Sequence, residues 1–145
     1  MRVSTKGRYA LRMMVDLAEH RDEGFISLKD IAKRQDISKK YLEQIIPAFH
    51  ASELLRTNRG SQGGYMLAKQ PDRCTVGEIL RLTEGSLAPV ACADDVPAEC
   101  DRCADCATLP VWQGLAKVIN EYLDSITLQD LLDKKREHDD FNYVI

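Results

Sequence analysis

The sequence predicts a mainly α-helical fold carrying one small β-hairpin. Three observations predict it. Apolar residues recur at helical spacing through most of the 145 residues. Ser or Thr caps precede nearly every periodic run. One glycine-rich loop, "NRGSQGG", separates two short apolar runs, "LLRT" and "YMLA".

Ser4 and Thr5 can cap a first helix whose apolar face holds Ala10, Met13, Met14, Leu17 and Ala18. "RDEG" ends it, with Gly24 as the breaker. Ser27 opens a second helix, "SLKDIAKRQ", with Leu28, Ile31 and Ala32 inward. Asp30 stands where a capping box usually has Glu or Gln. The turn "QDIS" leads to Ser38, the cap of a third helix, "SKKYLEQIIPAFHASELL". Leu42, Ile45, Ile46 and Phe49 form its inner face. Pro47 predicts a kink or break near Ile46, which leaves Ser38–Gln44 undisturbed.

Two short helices joined by a turn, the second with exposed polar side chains, make a helix-turn-helix. The hairpin directly after it is a wing, with Arg59 near its tip. Such a wing can lie along the DNA backbone and insert an Arg into the minor groove. "NRGSQGG" is not a phosphate-binding loop, since no helix follows and it lacks a Gly-Lys-Ser/Thr ending.

In the second half, Thr75 and Glu78 form a capping box for "TVGEILRLTEG", which ends at Gly85. A cysteine-rich stretch follows. Pro110 then sits in the first turn of a long helix, "PVWQGLAKVINEYLDSI". Val111, Leu115, Val118, Ile119, Tyr122 and Ile126 recur along it at helical spacing. Thr127 and Asp130 can cap a last helix, "TLQDLLDKKRE", and the tail "HDDFNYVI" shows no helical pattern. The long helix has more apolar face than the last helix can cover. Packing against its own winged domain would cover it; a homodimer is the expectation. The predicted organisation is a winged helix-turn-helix domain over 1–73, a connecting helix over 74–91 and a cysteine loop over 92–106. A dimerisation helix and last helix over 107–137 and a tail over 138–145 complete it.

Hydrophobic residues at 44% and charged residues at 30% suit a soluble globular chain. The first residues hold no signal peptide and no run can cross a bilayer, so the expectation is a cytoplasmic protein without membrane partners. The net charge of −3 hides an asymmetry. Residues 1–73 carry 14 Lys and Arg against 9 Asp and Glu; residues 74–145 carry 6 against 14. The basic half is the one with the helix-turn-helix, which points to DNA as its anionic partner. No Ser/His/Asp or paired-carboxylate arrangement is apparent, and His20, His50 and His138 are scattered, so no enzyme is expected.

Four of the five cysteines, Cys92, Cys100, Cys103 and Cys106, fall in one loop; Cys74 stands apart as a small residue at a helix start. In a reducing compartment such a cluster is more a metal or redox site than a disulfide frame, and the odd total agrees. Four thiolates suit a 2Fe–2S or a 4Fe–4S cluster, and Cys100-x2-Cys103-x2-Cys106 followed by Pro110 is similar to a ferredoxin run without its last cysteine. Zinc and a metal-free thiol sensor are competing readings. Asp94, Asp95, Glu99, Asp101 and Asp105 outnumber Arg102, which is expected to raise the thiol pKa values.

"STKGRYALRMMVDLA", "DIAKRQDISKKYLEQII", "RGSQGGYMLA", "TVGEILRLTEG", "TLPVW" and "LDSITLQDLL" resemble the family of winged-helix transcription regulators that includes IscR, NsrR and CymR. The likeness covers nearly the whole chain and thins after Lys134. It implies a dimeric regulator of a double-stranded DNA operator, with the fifth helix as the dimer interface. It also implies that Ser38, Tyr41, Glu43, Gln44, Arg59 and Gly60 contact DNA. By their chemistry, Gln44 suits adenine and Glu43 suits the cytosine amino group. Lys39 and Lys40 beside the helix N-terminus suit phosphate, and Lys6 and Arg8 suit backbone contacts.

The family includes members with and without clusters. The IscR-like ones place three cysteines between the fourth and fifth helices. Cys100 and Cys106 match the separation of the last two, Cys106 lies six residues before Trp112, and Cys92 is the first. The resemblance favours 2Fe–2S. The fourth ligand does not carry over. Leu109 stands where IscR-like members have His, and Arg8 where NsrR-like members have Asp. Cys103 is an extra cysteine placed to substitute. The expected function is a regulator whose DNA binding follows a cluster on Cys92, Cys100, Cys103 and Cys106. Control by zinc, by thiol oxidation or by a protein partner are the alternatives, and an electron-transfer protein would need neither "YLEQ" nor the wing.

Overall fold

The computed structural model describes residues 2–94 and 100–143. Its elements are α1 (Thr5–Glu19), α2 (Leu28–Gln35), α3 (Lys39–Ile45), β1 (Leu55–Asn58), β2 (Gly64–Leu67), α4 (Val76–Glu84), α5 (Leu109–Asp124) and α6 (Leu128–Tyr143).

α1 is the central pillar. Its Ala10, Met13, Met14 and Leu17 are fully buried, and α2, α3, α4, α6 and β2 all pack on it. Serine caps set three helix starts. The hydroxyls of Ser4, Ser27 and Ser38 accept the backbone N–H groups of Gly7, Asp30 and Tyr41 at 3.0, 3.2 and 3.0 Å. The box expected at Ser27 and Asp30 is therefore made in its serine half. Thr75 and Glu78 form a complete one at the start of α4, with bonds of 3.1 Å in each direction. Thr127 and Asp130 do the same for α6, at 3.1 and 2.8 Å.

Pro47 breaks the third helix as its chemistry demands. α3 ends at Ile45 and a 3-10 turn runs through Ile46–Phe49. The predicted helix does not continue to Leu54; the chain turns there and enters β1 at Leu55. Leu42, Ile45, Ile46 and Phe49 nevertheless all reach the core.

β1 and β2 pair antiparallel, with Leu55 opposite Leu67 and Asn58 opposite Gly64. A third segment joins them. Ile26 and Tyr65 exchange both backbone bonds at 2.8 Å, an addition absent from the sequence reading. Gly64 makes room for it. A Cβ there would lie 2.3 Å from the Ile26 carbonyl oxygen.

The tail differs from expectation. α6 continues through residues 138–143, where no helix was predicted. Its capped start and helix-forming residues carry it on, although among the described residues nothing after Leu132 is buried. Cys74 is fully buried at the start of α4. Its carbonyl accepts the Leu128 N–H at 2.9 Å, and Val76 donates to the Ile126 carbonyl at 2.9 Å, so α4 and α6 begin side by side.

α5 packs on α4, and a three-pronged clamp joins the two. Arg81 donates to both Asp124 carboxylate oxygens at 2.7 and 2.9 Å and to Asn120 Oδ1 at 2.6 Å. No helix among the described residues is long and apolar enough to cross a membrane.

Candidate nucleic-acid interface and cysteine loop

α3 presents two faces. Leu42 and Ile45 turn to the core, so Lys39, Lys40, Glu43 and Gln44 are left exposed on the other side. Ser38 is exposed and fixes the helix start. Tyr41 differs from its neighbours. It is half-buried, with its ring edge-on to Tyr9 of α1 at 5.3 Å and 73°. Arg12 sits 5.3 Å from the Tyr9 centroid and donates to the Gln35 carbonyl, which ties α1, α2 and α3 into one head. Lys39 and Glu43 form an exposed pair at 3.7 Å, one turn apart.

The wing stands beside α3. Gly63 donates to the Gly60 carbonyl at 3.0 Å to close its tip, and Arg59 and Gly60 are exposed there. Lys39, Arg59 and Gly60 line one groove. Lys6 and Arg8 lie on the first turn of α1, where the Arg8 guanidinium donates to the Thr5 hydroxyl at 2.9 Å.

Sequence reasoning missed the residue that holds the head rigid. Asp16 is buried, and Arg34 grips it with two bonds at 3.0 and 2.7 Å while the Gln35 amide adds a third at 3.0 Å. These bonds hold Arg34 protonated even more firmly than usual. The signal was its spacing: Asp16 is three residues after Met13, on the inward face of α1.

The cysteine loop runs from α4 to α5. Cys92 is half-buried in a 3-10 turn, Ala91–Ala93. Cys100 is exposed, and its carbonyl accepts the Cys103 N–H at 3.2 Å. Cys106 stands at the foot of α5, with its sulfur 3.4 Å from the Thr108 hydroxyl. That hydroxyl, with the backbone N–H groups of Thr108 and Leu109, stabilises the thiolate and pulls the Cys106 pKa below its ordinary value.

Cys103 moves the other way. Desolvation raises its pKa, followed by the charge of Cys100 and a hydrogen bond with it, then by the charges of Cys92 and Cys106. All three remaining loop cysteines thus act on Cys103. Cys103 moves up as expected while Cys106 moves down, and the causes acting on Cys103 are desolvation and the other sulfurs, with no described acid among them. Asp95 and Glu99 lie outside the described residues. Among the described residues no three His, Cys, Asp or Glu side chains are gathered closely enough to grip a metal ion as they stand.

On α5 the predicted apolar face divides. Ile119 is half-buried against the chain itself, beside the buried Ala116 that was not in the predicted face, and Ile126 is half-buried beyond the end of α5. Val111, Leu115, Val118 and Tyr122 form an exposed stripe, with Val118 62% and Tyr122 63% accessible.

Residues 3–134 match the model of the Rrf2 family, described as "Iron-dependent Transcriptional regulator". The chain belongs to the Rrf2 family. It is 39% identical over 131 residues to the HTH-type transcriptional regulator CymR of Bacillus subtilis, covering 90% of this chain and 89% of that one. It is 36% identical over 135 residues to IscR of Pectobacterium atrosepticum, covering 93% and 81%. The solved structure of T. potens IscR superposes with a TM-score of 0.76 at 43% identity, covering 95% of this chain and 90% of that one. This Rrf2 protein is accordingly a winged-helix transcriptional regulator that acts on DNA, and it is not an enzyme.

Proposed function

We propose that this Rrf2 protein is a homodimer whose affinity for a DNA operator is set by an iron–sulfur cluster on Cys92, Cys100, Cys103 and Cys106. One observation carries the reading: Cys92, Cys100, Cys103 and Cys106 all fall in the single loop that runs from α4 to α5, in a chain that belongs to the Rrf2 family. That concentration of sulfur supplies a fourth thiolate in a chain with Leu109 and Arg8 at the places where relatives resembling IscR and NsrR find theirs. Four thiolates satisfy a 2Fe–2S centre, the form the likeness to IscR favours, and equally a 4Fe–4S centre.

When bound, the cluster would supply a redox- and iron-responsive tie across the loop. The chain supplies the transmission. The Cys106 carbonyl accepts the Leu109 N–H at 3.4 Å and its sulfur lies 3.4 Å from the hydroxyl of the cap residue Thr108, so the position of the loop bears on the start of α5. Arg81 fastens α5 to α4 through Asp124 and Asn120. Paired through Val111, Leu115, Val118 and Tyr122, two α5 helices would fix the spacing of two reading heads. In each head Glu43 and Gln44 would meet base edges, with Arg59 in the adjacent minor groove and Ser38, Tyr41 and Gly60 alongside. Lys6, Arg8, Lys39 and Lys40 would meet phosphates.

A second reading, a metal-free thiol sensor of the same fold, draws support from the lowered pKa of Cys106. Anaerobic purification separates the two. The cluster reading expects a coloured protein with iron and acid-labile sulfide in equal amounts. A colourless, metal-free protein, or one carrying zinc alone, would overturn it. Titration of one operator with apo and loaded protein tests the coupling, and equal affinities would leave the cluster structural only.

A further inference from the structure

A groove of about 790 Å3 separates the start of α2 and α3 from the wing. Ile46, Phe49 and Leu55 form its apolar floor. Lys29, Lys39 and Arg59 stand around it, and no carboxylate lines it. Lys29 belongs to α2, lies outside the reading helix and the wing, and is exposed. Among the described residues neither Lys29 nor Arg59 has an ion-pair partner. Thr57 and Asn58 of β1 add neutral hydrogen-bonding groups on the wing side.

The shape of the duplex says what crosses such a groove. A major groove and its adjacent minor groove are divided by one sugar–phosphate strand. With α3 in the major groove and Arg59 in the minor groove, that strand must pass between α3 and the wing, over this cavity. We propose that Lys29 is a phosphate anchor for that strand, with Thr57 and Asn58 bonding to it from across the groove. The inference rests on the DNA-reading arrangement proposed above and adds a binding residue to it. Lys29 belongs to α2 and not to the reading helix, so the contribution assigned to it is one of charge. It is the same on every sequence and disappears with salt.

The test compares wild type, Lys29→Ala and Lys29→Gln on the operator and on a scrambled duplex over a series of salt concentrations. Both variants should lose the same factor on both duplexes, and the slope of log affinity against log salt should become shallower by about 1. An unchanged slope would overturn the inference, as would a loss confined to the operator, which would make Lys29 a base reader. Matching thermal midpoints for all three proteins show that the head is intact. Lys29→Gln, which keeps length and polarity, decides the matter if the alanine variant is less stable. Wild-type protein that binds neither duplex would overturn the DNA-reading arrangement itself.

Discussion

The carboxylate of Glu84, at the end of α4, accepts the hydroxyl and the backbone N–H of Ser4 at the start of α1, the latter at 3.3 Å. α1 has no acidic residue in its own first turn, so a residue eighty positions away provides the negative charge its N-terminus favours. The bond also joins the first helix of the DNA-reading head to the helix that feeds the cysteine loop. Gly7 is part of the joint, since a Cβ there would lie 2.3 Å from Glu84 Oε1.

Glu84→Ala should therefore cost about 1 kcal/mol, the usual worth of a helix cap and its charge. Gly7→Ala should also destabilise, by displacing the carboxylate. In the Glu84→Ala background the same glycine substitution should turn neutral or stabilising, because alanine is the better helix former by about 1 kcal/mol. Urea unfolding of the four proteins measures the coupling, and simple additivity would refute the joint.

The buried carboxylate of Asp16 makes a larger prediction. Asp16→Ala removes three bonds from the inward face of α1 but leaves Arg34 free to turn to water, and should cost about 1–2 kcal/mol; Arg34→Ala strands the buried carboxylate and should cost about 3 kcal/mol. Asp16→Ala with Arg34→Ala should cost less than the two separate losses combined, because the buried carboxylate that Arg34→Ala strands is itself removed by Asp16→Ala. Denaturant midpoints at neutral pH give the cycle.

The Thr127–Asp130 box predicts a dependence on acid. Bonds from the Thr127 N–H and hydroxyl hold the Asp130 carboxyl below its ordinary value of 3.8. A depressed carboxyl contributes stability that is fully present above the unfolded value and is lost as pH falls through the folded one. Asp130→Asn should thus lower stability at pH 7 and leave it nearly unchanged at the acid end, below pH 3.8. Thermal midpoints across that range should converge toward low pH; a constant gap would show that the carboxyl does not titrate differently on folding.

What the sequence disclosed follows from the range of each interaction. Ser4, Ser38, Thr75 and Thr127 cap helices through bonds to residues three positions on, so a single stretch displays both partners. The Pro47 break and the cysteine spacing are equally local. The Ile26–Tyr65 bridge joins distant residues and left no periodic trace, while for Asp16 the helical spacing marked the position as inward but could not name Arg34 as its partner. Residues 138–143 were missed for a different reason. They bury nothing, so no apolar stripe announces the helix that its capped start carries forward. At the cysteine loop, spacing named four candidates, while the half-buried 3-10 turn at Cys92 and the contact of Cys106 with Thr108 required the fold.

The exposed stripe on α5 predicts an oligomeric state. Val118→Glu puts a charge in the middle of a face whose burial would repay its apolar area only if left dry. The variant should sediment as a monomer with its thermal midpoint for the head retained. On a two-half-site operator it should lose about 100-fold or more in affinity, since the second half-site is no longer tethered. On a single half-site it should bind as wild type does. A dimer that survives the substitution would move the interface elsewhere.

Cys103 decides what kind of site the loop makes. If it is the fourth ligand, Cys103→Ala purified without oxygen should carry much less iron and sulfide than wild type, and what remains should bleach faster in air. Cys74→Ala is the control, because Cys74 is sealed in the core at the start of α4 and should leave the metal content untouched at some cost in stability. A Cys103→Ala protein with wild-type iron, sulfide and absorption would mean that three cysteines suffice and that another group completes the site. Arg8 and Leu109 cannot be that group, since a guanidinium offers no lone pair and leucine no donor at all. The search would then turn to the partner subunit, and the monomeric Val118→Glu protein would show it by failing to hold the cluster.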